Sequence, residues 1–217
     1  MERVEILFQD RRMVVCVKPA GVLSQKGKSG ETSMVELLNE QLGTAIFPVH
    51  RLDRETGGVM VYARTAEAAA DLSCQIQQGQ MKKEYLAVVH GCPEADFGVL
   101  EDLLYHDTAR NKSYVVKRKR RGVKQASLSY RVLAQQPEQT LIQVRLFTGR
   151  THQIRVQFAS RGMPLVGDGR YGGGGGRLAL WSARLTWDLP NAVQHCVTCL
   201  PQGIGGFTEL PPLAELK

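Results

Sequence analysis

The chain has 217 residues, of which 43% are hydrophobic and 23% are charged, a balance typical of a globular protein with an ordinary core. It contains no apolar run of about 18 residues, and its charged start, MERVEILFQD, lacks the apolar centre of a signal peptide. We therefore expect no membrane span and a cytoplasmic location. The net charge of +7 favours a polyanionic partner, and RNA or DNA is the commonest one.

The first 90 residues contain four predicted strands and two predicted helices. Short apolar runs bounded by turn residues predict strands at Val4–Phe8, Met13–Val17, Val59–Ala63 and Tyr85–Val89. A capping-box spacing predicts a helix from Ser33 to Leu42, which ends at Gly43. A second helix follows Thr65, which can cap it, and stops at Gly79.

Beyond residue 90 we expect a polar, irregular middle and further strands, of which Ser127–Leu133 and Leu141–Phe147 are neighbouring and antiparallel. The predicted strands are Tyr114–Val116, Ser127–Leu133, Leu141–Phe147 and Leu178–Leu185. Pro137 lies in the turn between the second and third of these strands. Thr151–Ser160 predicts a helix stopped by Gly162, and the glycine run 172–176 predicts a flexible loop.

Strands outnumber helices, and no regular crossover helices separate them. This pattern favours an α+β fold with a mixed, largely antiparallel sheet and flanking helices. Because there is no long linker, we expect one domain over residues 1–217.

The segment HRLDRETGG, residues 50–58, places Asp53 between Arg51 and Arg54. One interpretation is an aspartate that caps a turn before a strand. The other is a functional carboxylate, because the flanking cations keep it ionised and the glycines allow a close approach.

The segment FTGRTHQIRVQFASRG, residues 147–162, carries a second group of candidates. A helix that begins at Thr151 would place Thr151 and Arg155 on the same face. The free N–H groups of its first turn, beside Arg150, could bind an anion. Alternatively, Arg155 is a surface arginine and His152 is a buried, hydrogen-bonded histidine.

Two further features are open to more than one interpretation. Tyr85 starts an apolar strand and is either a core residue or a ring that stacks on a base. The cationic run from Lys117 to Arg121 is either a solvated loop or a set of phosphate contacts, to which Lys124 would add.

The five cysteines form no paired framework and suggest reduced thiols. Cys196 and Cys199 form a single C-x-x-C without a second pair at suitable spacing, so we expect no metal site. Asp168, in the stretch GDGRYG, is interpreted as a turn residue.

Four segments in order resemble those of RluA-type pseudouridine synthases. They are KPAGVLSQKG, HRLDRETGGVMVYAR, KKEYLAVVHG and FTGRTHQIRVQFASRGMPLVGDGRYGG. The resemblance runs from about Met13 to about Thr186. It implies the family's catalytic fold, with an active-site cleft across the sheet, and isomerisation of uridine to pseudouridine in structured ribosomal or transfer RNA. It also implies that no cofactor is required.

The resemblance assigns roles residue by residue. Asp53 matches the essential aspartate, Tyr85 the tyrosine that stacks on the target uracil, and Arg155 the arginine that pairs with the catalytic carboxylate. Arg51 matches a residue that enters the RNA stack where the target base has left. The other RNA-binding residues that we expect are His50, Arg54, Arg150, His152, Lys117, Arg118, Lys119, Arg120 and Arg121.

The chain also departs from the family pattern. Gly57-Gly58 replaces the usual Ser-Gly, which should loosen the turn, and Gln157 stands where relatives often have histidine, a peripheral contact. We expect no separate N-terminal RNA-binding domain, because the matching strands begin within the first 20 residues. We also expect a monomer without an obligate protein partner.

The residue types leave the chemistry partly open. Asp53 could attack the sugar, add to the ring or remove a sugar proton. Two other classes of function compete with the synthase: an RNA-binding module without catalysis, and a small-molecule hydrolase that uses Asp53 and His50. The hydrolase ranks last because the chain has no nucleophile elbow and no metal site.

Overall fold

The computed structural model describes residues 3–27, 30–188, 194–213 and 215–216, and within them the chain forms eleven strands and three helices. The strands are β1 (Ile6–Gln9), β2 (Met13–Lys18), β3 (Phe47–Pro48), β4 (Gly57–Ala63), β5 (Lys82–His90), β6 (Phe97–Asp107), β7 (Lys112–Val116), β8 (Val123–Gln136), β9 (Gln139–Leu146), β10 (Leu180–Asp188) and β11 (Gln194–Thr198). The helices are α1 (Met34–Leu42), α2 (Ala66–Gln77) and α3 (Gln153–Ala159). None of these helices has the length and apolar character needed to cross a bilayer.

The chain divides into two compact units. The first unit comprises Met1–Lys83 and Trp181–Pro201, and the second comprises Glu84–Leu180 and Gln202–Lys217. The expectation of one catalytic domain over residues 1–217 stays a prediction, as does the cleft across the sheet.

The sheet of the first unit has the order β1-β2-β4-β10, with β3 paired to β4 and β11 paired to β10. Strands β2 and β4 run antiparallel, whereas β4 and β10 run parallel. All seven residues of β4 are buried, which explains why its sequence is a continuous apolar run rather than an alternating one. Leu72 of α2 and Trp187 of β10 belong to the core cluster that packs against this strand.

Local signals correctly located the helices of the first unit. The Ser33 N–H donates to the Glu36 carboxylate at 2.8 Å, and Gly43 ends α1 with a left-handed φ of 62°. The Ala68 N–H donates to the Thr65 hydroxyl at 3.1 Å, so Thr65 caps α2 as predicted.

The sheet of the second unit has the order β5-β9-β8-β6-β7. The pairs β9–β8, β8–β6 and β6–β7 are antiparallel, and Pro137 lies in the turn between β8 and β9 as predicted. The predicted mixed, largely antiparallel sheet is thus confirmed.

The prediction of an irregular middle is wrong. Residues 97–107 form the eleven-residue strand β6, whose register runs from the pair Phe97 and Arg131 to the pair Tyr105 and Val123. Leu100 and Leu104 are buried, whereas Phe97 is 72% exposed and Val99 is 61% exposed, so apolar residues lie on both faces of β6 and give no clean alternation. Long-range pairing with β8 stabilises β6 where its own pattern does not.

The predicted start of the third helix at Thr151 is also wrong, because α3 begins at Gln153. His152 precedes it in the left-handed region, with φ at 55°, which ends any helix there. The Gln153 side chain accepts from the Arg150 N–H at 3.0 Å and closes a turn before the helix. The Gln153 side chain thereby occupies the Arg150 N–H, and the anion site expected at the first turn of the helix stays a prediction.

Gly58 occupies a position that only glycine fits. Its φ is 112°, and an added Cβ would overlap the backbone of Ser182 on the neighbouring strand. We expect Gly58→Ala to lower the free energy of unfolding by about 3 kcal/mol, because strain and overlap add. The matched control is Gly79→Ala, at a φ of 72° with no atom within 4 Å. It should cost about 1 kcal/mol. Guanidinium unfolding measures both costs, and equal ones would contradict the role assigned to Ser182.

Candidate active site

The loop that carries Asp53 is fixed by its own backbone and by Ser24. The Thr56 N–H donates to the Asp53 carbonyl at 3.1 Å and closes a turn. The Ser24 hydroxyl donates to the Leu52 carbonyl at 2.9 Å and accepts from the Leu52 N–H at 3.0 Å. Asp53 is half-buried, whereas Leu52 is buried beneath the loop. The turn of the first interpretation exists, and these bonds fix the backbone that carries the Asp53 carboxylate.

Lys18 is a buried cation that the sequence analysis did not single out. Its Nζ donates to the carbonyls of Pro19, Val22 and Arg54 at 2.9, 2.6 and 2.9 Å. Burial lowers its pKa to about 8, and nearby Glu55 and Asp53 oppose that shift. Lys18 therefore joins the KPAG segment to the Asp53 loop and adds positive charge beneath it.

His50, at the start of the same segment, accepts a hydrogen bond through a neutral ring. Its Nε2 accepts from the Val61 N–H at 3.2 Å. Burial, with a smaller contribution from Lys83, lowers the pKa of His50 to about 3. The ring is therefore uncharged at neutral pH, and the RNA contact assigned to His50 stays a prediction for a neutral side chain.

We expect His50 to make the first unit sensitive to acid. Because its pKa is about 3 when folded and 6.5 when unfolded, the unfolded chain binds more protons between those values. His50 leaves the free energy of unfolding unchanged above pH 6.5. As the pH falls from 6.5 towards 3, it lowers that free energy by up to about 1.4 kcal/mol per pH unit. His50→Gln keeps an acceptor for Val61 but does not titrate. Urea unfolding across this range should show a shallower decline for the variant, and parallel declines would contradict the assignment.

The two arginines beside Asp53 differ in their contacts. Arg54 donates from Nε to the Gly21 carbonyl at 3.0 Å, and its Nη2 lies 2.7 Å from a Glu31 carboxylate oxygen. Arg51 is exposed. Arg54 thus ties the loop to residues 21–31, and the RNA contacts expected of both arginines stay predictions.

Gly57 does not loosen a turn, which corrects that expectation. It lies in β4, paired with Trp181 of β10, and an added Cβ would overlap the Trp181 ring. The departure from Ser-Gly has a steric cause in this chain, because the indole occupies the space of the missing side chain.

In the second unit, Arg155 is buried in an ion pair rather than solvated on a helix face. Its Nε donates to Asp168 Oδ2 at 2.7 Å and its Nη2 donates to Asp168 Oδ1 at 2.8 Å. The guanidinium also lies over the Tyr171 ring, 5.3 Å from its centroid. Asp168 is therefore more than a turn residue, and its pairing with Arg155 was missed because nothing in the sequence links the two.

His152 is buried, with 8% of its surface exposed, and its Nδ1 lies 3.0 Å from the Tyr171 hydroxyl. That hydroxyl accepts from the Ser113 N–H at 2.8 Å. The structure thus gives His152 the packing role of the second interpretation, and the RNA contact assigned to it stays a prediction.

Gln157 makes interior contacts and not the peripheral one expected from the family pattern. It is fully buried, and its Nε2 donates to the Leu100 carbonyl at 3.2 Å and to Asp102 Oδ2 at 2.7 Å. Asp102 also pairs with Arg161 at 2.9 Å. This group anchors the far end of α3 to β6.

Tyr85 is buried on β5, with 5% of its surface exposed. Asp53 belongs to the first unit, whereas Tyr85 and Arg155 belong to the second. The pairing of Arg155 with Asp53 and the stacking by Tyr85 therefore stay predictions.

The cationic loop, residues 117–121, joins β7 to β8 and is exposed throughout. Within it, the Arg120 guanidinium lies 5.1 Å from the centroid of the Tyr105 ring. Arg150 donates from Nε to the Gln125 carbonyl at 2.9 Å, close to the start of β8. The loop has the exposure that phosphate contacts require, and those contacts stay a prediction.

The glycine run after Tyr171 is not flexible over its whole length. Gly173 donates to the Asp168 carbonyl at 2.8 Å and accepts from the Gly167 N–H at 2.8 Å. An added Cβ at Gly173 would overlap the Leu165 carbonyl. These bonds fold the backbone tightly around Asp168.

All five cysteines are free thiols, and Cys196 lies on β11. Within the described ranges, no group of three or more histidine, cysteine, aspartate or glutamate side chains is arranged to hold a metal ion.

The model of the RNA pseudouridylate synthase family matches residues 12–160. The chain belongs to that family. Its match includes the Asp53 loop, Tyr85 and Arg155.

Named relatives agree with this class. The ribosomal large subunit pseudouridine synthase D of Nitrosomonas europaea is 40% identical over 175 residues, which cover 78% of this chain and 50% of that protein. An uncharacterized RNA pseudouridine synthase of Zymomonas mobilis is 34% identical over 171 residues, covering 77% of this chain and 78% of that protein. The chain thus spans half the length of the Nitrosomonas protein.

A solved structure supports the fold. The human RNA pseudouridylate synthase domain containing 1 aligns with a TM-score of 0.79, covering 100% of this chain and 91% of that one at 19% identity.

Proposed function

We propose that this protein isomerises uridine to pseudouridine within structured RNA. The observation that carries the proposal is the family match over residues 12–160, which contains Asp53, Tyr85 and Arg155 together.

The reaction moves the ribose bond from N1 to C5 of uracil. The glycosidic bond breaks, the base rotates and a carbon–carbon bond forms, while no electrons enter or leave. In this proposal Asp53 acts at the sugar or at the base, and Arg155 pairs with it. A guanidinium beside a carboxylate in a dry pocket keeps that carboxylate ionised. The first unit supports the proposal by holding Asp53 on a turn pinned through Leu52 and Ser24.

A uridine within a stacked helix must leave the stack before it can react, at a cost of a few kcal/mol. In this proposal Tyr85 stacks on the extruded uracil and Arg51 fills the gap that it leaves. The exposure of Arg51 supports the second role, because an exposed guanidinium can enter an RNA helix.

Phosphate contacts would supply affinity without reading sequence. The exposed cationic loop supports this part of the proposal, as does the net charge of +7. Ribosomal RNA is the substrate that we propose, because the Nitrosomonas relative is named as a ribosomal large subunit pseudouridine synthase. The protein would act as a monomer in the cytoplasm.

The test uses the whole chain with transcripts that carry 5-tritiated uridine. We expect tritium release from large-subunit ribosomal RNA, and mapping of the product should locate it at one or a few positions. Transfer RNA is the second arm, and release there alone would reassign the substrate. Tight, salt-sensitive binding of both RNAs without any release would favour the non-catalytic RNA-binding module and overturn the proposal.

A further inference from the structure

We infer that Asp168 and Tyr171 are positioning residues that set the orientation of Arg155, and we call the two residues the Arg155 seat. The inference rests on the proposed function, because it concerns how Arg155 serves the reaction. All the contacts that carry it lie within the second unit.

Asp168 fixes the rotation of the Arg155 guanidinium. It accepts from Nε and from Nη2, so it engages one side of the planar fork at two points. Covalent geometry then directs Nη1 away from Asp168. An arginine side chain has four rotatable bonds, and a two-point contact removes most of that freedom. The side chains of Arg155 and Asp168 are 9% and 0% exposed, so water does not loosen the pair.

Backbone N–H groups of the following residues hold the Asp168 carboxylate in place. Its Oδ1 accepts from the N–H groups of Arg170 and Tyr171 at 3.1 and 3.3 Å, and its own N–H donates to the Leu165 carbonyl at 3.0 Å. The carboxylate therefore cannot follow Arg155 if the arginine moves. The backbone of the loop, and not the flexibility of a side chain, sets its location.

Tyr171 supports the guanidinium on its flat face. Its ring lies 5.3 Å from the Arg155 guanidinium carbon, and its hydroxyl accepts from the Ser113 N–H at 2.8 Å. The Ser113 hydroxyl in turn donates to the Thr151 carbonyl at 2.7 Å, just before α3. The seat thus connects the β6–β7 hairpin with the start of the helix that carries Arg155.

Such a seat should affect turnover more than RNA binding. A rotated guanidinium would keep its charge, so RNA binding should change little. Its remaining N–H donors would lose their fixed direction, so turnover should fall. Outer contacts of this kind typically change activity by about 10- to 100-fold.

The test compares Asp168→Asn with Asp102→Asn in the full-length protein. Both changes convert a carboxylate that pairs with an arginine to an amide. Asp168 pairs with Arg155 of α3, whereas Asp102 pairs with Arg161, which follows α3. We expect kcat for tritium release to fall about 10- to 100-fold in Asp168→Asn with KM for RNA unchanged, and neither to change in Asp102→Asn. Tyr171→Leu, which keeps the ion pair, should lower kcat by a smaller factor and provides a second variant if Asp168→Asn does not fold.

Nitrogen-15 NMR of the arginine side chains gives a readout that does not need activity. The Arg155 Nε–H should be protected from exchange with water in wild type and Asp102→Asn, and unprotected in Asp168→Asn. An active wild type with equal kcat in Asp168→Asn would overturn the inference and leave the proposed function standing. A wild type without product on either RNA would overturn the proposed function. In that case unchanged Nε–H protection in Asp168→Asn would overturn the seat as well.

Discussion

Asp53→Asn is expected to abolish tritium release from RNA that contains 5-tritiated uridine, with a fall in rate of about 10⁴-fold or more. The amide has the shape of the carboxylate but can neither attack carbon nor accept a proton. The turn closed by the Thr56 N–H uses the Asp53 carbonyl, so the substitution should leave the loop in place. RNA affinity, measured by filter binding, should stay at the wild-type value.

The matched control for this variant is Glu55→Gln, which makes the same chemical change two residues further along the loop. Glu55 is exposed, and its side chain is 61% accessible beside Arg54. We expect wild-type release from Glu55→Gln. Normal release from Asp53→Asn would refute the catalytic assignment, and loss of release in both variants would point to a charge effect of the whole loop.

Arg155→Lys should lower kcat by about 10²- to 10³-fold while KM for RNA changes little. Lysine keeps the positive charge but has no planar fork, so it cannot contact Asp168 at two points and still direct a second donor elsewhere. Lysine is preferable to alanine here because alanine would leave Asp168 buried without its cation, which commonly costs about 3–5 kcal/mol.

Arg161→Lys is the control for this prediction, since Arg161 follows α3 and pairs with Asp102. Single-turnover rates and RNA affinities should separate the two variants. If Arg155→Lys lost affinity and turnover by the same factor, Arg155 would be a phosphate contact and not a group that acts in the transition state.

Elements with strong local signals were predictable from the sequence. The capping box at Ser33 and the glycine at position 43 defined α1 almost to the residue. Strand β4 was visible because burial on both faces demands a continuous apolar run. In each case, residues close together in the chain determine the structure.

The elements that were missed have causes that hydrophobic patterning does not reveal. Strand β6 carries exposed Phe97 and Val99 and is stabilised by pairing with β8, from Phe97 opposite Arg131 to Tyr105 opposite Val123. The late start of α3 follows from the left-handed conformation of His152, which is uncommon for any residue other than glycine. Hydrophobic patterning reveals neither cause, because β6 depends on a distant strand and the start of α3 depends on a turn that the Gln153 side chain closes.

Some residues of the candidate site could be predicted from the sequence, and others could not. Asp53, Tyr85 and Arg155 became candidates because the resemblance supplies them by position. Lys18 and Asp168 were not, because their roles depend on carbonyl groups and a guanidinium that only the folded chain brings to them. The available signal for Lys18 was a lysine that ends an apolar run directly before a proline.

The contact between Gly57 and the Trp181 ring limits the order in which this protein could have evolved, or could be engineered, towards the Ser-Gly form of its relatives. A serine introduced first would meet the indole, so the chain would pass through a strained intermediate. A smaller residue at 181 introduced first would open the space and make the serine neutral. The two positions should therefore covary across the family, with bulk at one accompanied by glycine at the other.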